Sequence, residues 1–265
     1  MIVKIKVKHN GASDTSENSI EVGTAKHLFG KVHVLSIFVG RESSPWGKKD
    51  IANTLENLQE AQRWLKIQSA RFGKTLCFVN TIFGEEYPIC DNTIPDSYES
   101  DNAYYYACSL IQRIGFGDNS AYIEWVREHT DCDQCLVIIF CNKDGRSFAS
   151  PISKELQTYN PIRYNLECCF LYRYYTDSQI ITTPASIAHE LLHLFGAWDL
   201  YELDSNDAHR YDKCSQMFPD SIMIDTYRNI WETKLDEINA WLVGLNAKKE
   251  WYKWFEPNQD EYIYE

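Results

Sequence analysis

The spacing of apolar residues along the chain predicts a series of short strands. The densest apolar run, Leu136-Val137-Ile138-Ile139-Phe140, has the length of a buried strand. The first eight residues alternate apolar and basic side chains, which is also a strand pattern. The predicted strands lie at 1–8, 31–39, 75–79, 135–141 and 163–172, with a brief edge strand at 147–150.

Apolar residues three and four positions apart predict helices between these strands. The longest such pattern begins at Asp50, which fits a helix cap, and stops at Gly73. Prolines, acids and asparagines mark 84–101 as an excursion from the core. Further helices are predicted at 103–114, 121–129 and 227–245.

The stretch from residue 183 to residue 196 carries the start and stop signals of a helix. Thr183 is a good N-cap, and Pro184 suits the first helical position, where no amide hydrogen is needed. Gly196 can adopt the left-handed turn that ends many helices. The sequence therefore predicts a helix that begins after Thr183 and ends before Gly196.

Four polar residues in and after this helix have the types and spacing of a metal centre. His189 and His193 are four residues apart, so they lie on one helix face and can bind the same ion. Glu190 lies beside that pair, where a carboxylate can reach a water molecule at the metal. A turn at Gly196 can bring Asp199 back towards the metal. Three protein ligands leave the fourth position to water, which is typical of a catalytic zinc site.

The pattern His-Glu-x-x-His-x-x-Gly-x-x-Asp at 189–199 resembles the zinc signature of the metzincin metallopeptidases, in the aspartate variant of the snapalysin-like enzymes. Asp220-Ser221-Ile222-Met223 resembles their Met-turn, which places a methionine beneath the metal. The resemblance implies an α/β (α+β) fold with a twisted, mostly parallel five-stranded sheet and an active-site helix. A smaller helical C-terminal lobe would lie below the cleft. We expect one catalytic domain over 1–265, with an upper lobe at about 30–196, a helical insertion at about 84–130, and a lower lobe at about 197–265.

The resemblance also implies a zinc-dependent endopeptidase that acts on a protein or peptide substrate. One catalytic Zn²⁺ would be held by His189, His193 and Asp199. Glu190 would serve as the general base for the attacking water. An extended substrate would add to the edge strand at 147–150 through main-chain hydrogen bonds.

Several alternatives stay open at this point. The same ligands would serve a zinc amidase acting on a non-protein amide, and an inactive metzincin-like module could use the cleft for binding alone. His209 competes as third ligand because imidazole is the usual zinc donor, although Asp199 has the family's offset from Gly196. The family's tyrosine two residues after the methionine is replaced by Asp225. Tyr227 is either its substitute or a helix-capping aromatic residue.

Composition narrows the choice of partner and compartment. A net charge of −12 argues against nucleic acid or an anionic membrane as the main partner. No apolar run approaches the roughly 20 residues that span a bilayer. Nine cysteines is an odd number, and several of them, such as Cys77 and Cys141, fall in apolar strand-like runs. We interpret Cys132-x-x-Cys135 as two incidental thiols, with a redox or metal site as the alternative, and expect a reducing, cytoplasmic compartment.

Two expectations concern the regulation of the site. The acidic segment at 199–212 is interpreted as a solvated loop, with calcium binding as the alternative. No segment resembles an inhibitory propeptide that caps the zinc through a cysteine. We therefore expect access to be limited by substrate fit or by a regulatory protein partner.

Overall fold

The computed structural model describes residues 23–95, 100–152, 159–160, 164–175, 181–201 and 208–254. The strand predicted at 1–8 lies outside these residues. No helix in the described part of the chain is long and apolar enough to cross a bilayer.

One mixed sheet forms the centre of the molecule. Its described strands are Gly30–Gly40 (β1), Leu76–Phe83 (β2), Ile89–Cys90 (β3), Gln134–Gly145 (β4), Phe148–Ser150 (β5) and Cys168–Tyr175 (β6). They lie in the order β2-β1-β4-β6-β5, and β3 also pairs with β1. All pairs are parallel except β5 with β6, which is antiparallel. The predicted α/β class, the mostly parallel sheet and the short edge strand are confirmed.

The predicted count of five strands is wrong, because β3 adds a sixth. This strand has only two residues, too few to show any period in the sequence, and it lies within the predicted excursion at 84–101. The strand predicted at 163–172 begins later than expected, at Cys168, and extends to Tyr175.

Six α-helices accompany the sheet within the described residues. They are Lys48–Arg71 (α1), Ser100–Arg113 (α2), Asn119–His129 (α3), Pro184–Leu194 (α4), Ala208–Met217 (α5) and Glu237–Leu242 (α6). Short 3₁₀ helices follow at Ile230–Glu232 and Glu250–Trp254. Asp50 is in the first turn of α1 and is not its cap, which is Gly47.

The prediction of one long closing helix at 227–245 is wrong. Two separate caps divide this segment: Asn229 accepts a hydrogen bond from the Trp231 amide, and Asp236 accepts one from the Asn239 amide. Each cap starts a new short helix, because Asn and Asp side chains compete with the helical backbone for its amide groups. The helical spacing of apolar residues continues across the break, so that spacing alone does not show where one helix ends and the next begins.

Side chains of β1 alternate between two apolar cores, one on each face of the sheet. Val32, Val34 and Phe38 pack in the core that contains α1 and α4. Leu35 and Ile37 pack in the core that contains α2 and α3. Both faces of the central strands are therefore covered, which explains their continuous apolar runs.

None of the nine cysteines forms a disulfide bond, and all nine lie within the described residues. Cys141, Cys168 and Cys169 are buried, as expected for small apolar side chains in central strands. Cys77 is in strand β2, as expected, but it is exposed, and β2 is at the end of the sheet order.

Candidate metal centre

Helix α4 has the ends that the sequence predicts. The Thr183 hydroxyl accepts a hydrogen bond from the Ser186 amide at 3.2 Å, and Pro184 occupies the first turn. Gly196 has a φ of +99°, and its amide donates to the His193 carbonyl at 2.9 Å. This left-handed residue reverses the chain directly after the helix, so Asp199 returns to the face that carries the histidines.

Three side chains from α4 and the following turn converge on one point. The Nε2 atoms of His189 and His193 are 3.1 Å apart, and Asp199 Oδ1 lies 3.2 Å from each of them. Among the residues described, they are the group of His, Cys, Asp or Glu side chains close enough to share a metal ion. All three are largely shielded from solvent; the side chains of His193 and Asp199 are each 16% exposed.

Backbone carbonyl groups fix the orientation of both imidazole rings. His189 Nδ1 lies 3.1 Å from the carbonyl oxygen of Ile222, and His193 Nδ1 lies 2.9 Å from that of Ala197. A carbonyl oxygen only accepts hydrogen bonds, so each Nδ1 must carry the proton. In the neutral rings, both Nε2 atoms therefore present lone pairs to the shared point.

The three converging atoms are better suited to bind a shared zinc ion than to form hydrogen bonds with one another. Asp199 Oδ1 is buried and has no hydrogen-bond partner, although both imidazoles lie beside it. Two imidazole nitrogens, each oriented by a carbonyl, with one carboxylate oxygen are a normal ligand set for zinc. A shared cation would satisfy all three lone pairs at once.

The charges of the ligand group are strongly coupled. Burial alone would lower the pKa of His193, but the Asp199 carboxylate outweighs burial and raises it to about 9. Burial would raise the pKa of Asp199, yet the two imidazoles hold it far below its usual range. Without a metal, a proton on His193 thus compensates the carboxylate, where a cation would otherwise do so.

Glu190 is buried next to the ligand group, with 8% of its surface exposed. Burial raises the pKa of its carboxyl group, the two histidines oppose that rise, and Asp199 adds to it. A shielded carboxyl group with a raised pKa beside a metal-type ligand set is suited to accept and release a proton.

Tyr201 and Arg146 lie near the ligand group, although no sequence motif indicates a role for either of them. The ring of Tyr201 lies over that of His189, with centroids 6.4 Å apart and planes inclined by 20°. Its hydroxyl accepts a hydrogen bond from Arg146 Nη2 at 3.4 Å. Burial and the Asp199 charge raise the pKa of Tyr201 well above its usual range, so it remains a neutral donor.

Sequence signals for these two residues are weak. Tyr201 follows Asp199 by two positions, which is the one hint that it approaches the site. Arg146 lies in the turn between β4 and β5, where the sequence indicates only a change of direction.

Tyr227 and Asp225, which follow Met223 in the sequence, have contacts outside the ligand group. Tyr227 is 67% exposed and packs edge-on against Tyr175, with ring centroids 6.1 Å apart. Asp225 caps its own turn by accepting from the Tyr227 amide at 2.8 Å. His209 is in α5, so its predicted place in an acidic loop over 199–212 is wrong; its side chain lies outside the described residues.

The segment that resembles a Met-turn contacts the ligand group directly. Ile222 and Met223 are fully buried, and the Ile222 carbonyl orients His189. The Met223 carbonyl accepts a hydrogen bond from the Leu200 amide at 2.9 Å. The segment thus contacts both branches of the site, α4 and the chain around Asp199.

Comparisons with known proteins leave the family open. No protein-family model matches the chain, and no curated protein does. Among solved structures, the chain is similar to a zinc-dependent peptidase from Methanocorpusculum labreanum, with a TM-score of 0.36 and 10% identity. That alignment covers 80% of this chain and 100% of the other. A likeness this distant assigns neither fold nor activity.

Proposed function

We propose that this protein is a zinc-dependent peptidase of the metzincin type. The observation that carries the proposal is the convergence of two imidazole lone pairs with the partnerless Asp199 oxygen. His189, His193 and Asp199 would hold the ion. A surface pair of histidines would not need both Nδ1 atoms bound to buried carbonyl groups, nor a carboxylate within 3.2 Å of both rings.

A bound zinc ion supplies Lewis acidity, which polarises a scissile carbonyl and acidifies water. The protein's own part is the movement of a proton. The Glu190 carboxylate would take a proton from the attacking water and then deliver it to the leaving amine. Burial of Glu190 favours this role, because it makes the carboxylate a stronger base than an exposed one.

Arg146 and Tyr201 would provide hydrogen-bond donors at the same site. Arg146 donates to the Tyr201 oxygen, and the Tyr201 hydroxyl in turn hydrogen-bonds to the Asp199 carboxylate, so the phenol keeps its proton at the ligand group. A neutral phenol beside the ligand group can donate to the carbonyl oxygen of a substrate as negative charge develops there. Tyr201 is a better candidate for this role than the largely exposed Tyr227.

The edge of the sheet favours a peptide as substrate. Strand β5 pairs with β6 and is last in the order of the described strands, so an added strand would lie along its second edge. It also contacts α4, which carries the ligands. An extended peptide could add to β5 and pass the ligand group, whereas a small non-protein amide would make no use of this edge.

The proposed layout is a single catalytic domain. The sheet with α1 and α4 would form the upper lobe, at about 30–196, and α2 and α3 would be its helical insertion at about 84–130. Residues from about 197 onwards would form the lower lobe, which closes the site through Ile222 and Met223.

The experiment that tests the function joins metal analysis to cleavage of a mixed peptide library. We expect one equivalent of zinc per chain and cleavage that a chelator abolishes. Glu190→Gln should retain zinc and fold but lose about 10²–10⁴-fold in turnover, the usual contribution of a general acid-base group. A Gln variant with full zinc content and near-normal turnover would refute this mechanism.

The same measurements separate the alternatives. Zinc binding without peptide cleavage, but with hydrolysis of small amides, would indicate an amidase. Peptide binding without hydrolysis of either class would indicate a binding module.

A further inference from the structure

Three polar side chains form a buried hydrogen-bond network next to the metal centre. Ser221, Asp236 and Asn239 are 3%, 6% and 0% exposed. Asp236 Oδ2 accepts hydrogen bonds from Ser221 Oγ at 2.8 Å and from Asn239 Nδ2 at 3.0 Å. We call these three residues the Asp236 network.

One arm of the Asp236 network leads to His189. Ser221 Oγ accepts a hydrogen bond from the Met223 amide at 3.1 Å, which closes a tight turn around Ile222. The peptide of Ile222 is thereby held in one orientation. Its carbonyl oxygen then accepts from His189 Nδ1 and sets the direction of the imidazole ring.

The other arm leads to Asp199. Asn239 Oδ1 accepts a hydrogen bond from the Trp198 amide at 2.7 Å, directly before the proposed ligand. The Leu200 amide, directly after it, donates to Met223 in the turn that the first arm closes. The backbone is therefore anchored on both sides of Asp199, at Trp198 to one arm and at Leu200 to the other.

The two oxygens of Asp236 have different tasks. Oδ1 caps α6 by accepting from the Asn239 amide at 2.9 Å, and this bond alone would account for an aspartate at the position. Oδ2 contributes nothing to that cap. Burying a carboxylate is costly unless it is fully hydrogen-bonded, and here the second oxygen joins the two arms.

We infer that Ser221 and Asn239, joined through Asp236, are positioning residues that set the zinc affinity of the site. They hold His189 and Asp199 in register with each other from outside the ligand group. This inference rests on the proposed function and deepens it. Residues that orient metal ligands through hydrogen bonds typically change metal affinity by about 10–100-fold when they are removed.

The test compares Ser221→Ala and Asn239→Ala with a control of the same kind elsewhere. Glu167 is a buried carboxylate, 2% exposed, that accepts from the Thr24 hydroxyl at 2.6 Å and the Ala25 amide at 3.0 Å. Glu167→Gln weakens a buried polar network that is formed with Thr24 and Ala25, neither of which belongs to the metal centre. Zinc affinity is measured by competition with a chromophoric chelator, and thermal unfolding by circular dichroism of the metal-free protein.

We expect each network variant to lose about 10–100-fold in zinc affinity and to change the visible spectrum of the cobalt-substituted protein. Glu167→Gln should unfold at a lower temperature but bind zinc like the wild type. Because both arms act through one carboxylate, the double variant should lose less affinity than the product of the two single losses.

Two results would overturn the inference, and they differ. Network variants that unfold earlier, like the control, but keep wild-type zinc affinity would reduce the network to a structural role. A wild-type protein that binds no zinc would refute the proposed function, and the inference with it. If one network variant does not fold, the other still decides between these outcomes.

Discussion

At the scale of single residues, the metal centre depends on which atoms are left without protons. Both Nδ1–H groups are engaged by the carbonyl groups of Ile222 and Ala197, so both Nε2 atoms and Asp199 Oδ1 are acceptors at the same point. Three acceptors that face one another are unfavourable unless a proton or a cation lies between them. The sequence shows the residue types, but only the structure shows this conflict.

The identity of the third ligand can be tested with two alanine variants. Asp199→Ala should lose zinc or weaken its binding by orders of magnitude, because one of three protein ligands is removed. His209→Ala should keep a full equivalent, since the ligand group is complete with Asp199. Metal content of both variants is measured by mass spectrometry, and the reverse pattern would assign the ligand to His209.

The role of Tyr201 can be tested by removing its hydroxyl group alone. Tyr201→Phe should lower kcat about 10²-fold or more at saturating zinc, as expected for a lost donor to developing charge. KM should change much less, because the donor acts mainly in the transition state. Tyr227→Phe is the matched control and should remain active. Equal activity of both variants would exclude a hydroxyl role for Tyr201.

At the scale of elements, α4 is the part of the site that could be predicted from sequence. Its cap, its first proline, its terminal glycine and the i, i+4 histidines are all local signals, and the structure has each of them where expected. Contacts between distant segments carry no such signal. The Ile222 carbonyl is 33 residues from His189, and Asn239 is 41 residues from Trp198, so neither contact could be predicted.

Elements without a clear period were also missed or misjudged. Strand β3 is too short to show an alternation, and the break before α6 leaves the apolar spacing intact. Arg146 escaped notice because a turn residue has no pattern that reveals what it faces. Local chemistry was therefore predictable, and the assembly of separate segments was not.

The start of α4 offers a prediction at this scale. Thr183→Ala removes the oxygen that accepts from the Ser186 amide and should destabilise the protein by about 1 kcal/mol. Thr183→Ser keeps that oxygen and should differ little from the wild type. The free energy of unfolding is measured with urea for both variants. If the alanine and serine variants prove equally stable, the cap contributes nothing.

At the scale of the whole molecule, the central sheet joins two cores, and one buried histidine connects layers on the face opposite α4. His33 on β1 is 1% exposed and belongs to the buried polar residues of the sheet. Its Nδ1 lies 2.8 Å from the Tyr122 hydroxyl on α3, and its Nε2 lies 2.9 Å from the Thr81 hydroxyl on β2. Hydroxyl groups can donate or accept, so a neutral ring is satisfied on both sides.

This histidine predicts how stability changes in acid. Burial lowers the pKa of His33 to about 4, whereas an unfolded chain would have its ordinary value of 6.5. Between these pH values the unfolded state binds more protons than the folded state, so stability must fall as the pH falls. At about 1.4 kcal/mol for each pKa unit, the loss attributable to His33 is about 3 kcal/mol by pH 4, and it is absent above pH 7.

The variant His33→Gln can still bond to the hydroxyl groups but cannot titrate. We therefore expect the stability advantage of the wild type over this variant, measured by urea unfolding at several pH values, to shrink by about that amount between pH 7 and pH 4. Parallel pH curves for the two proteins would show that His33 is not the group that titrates.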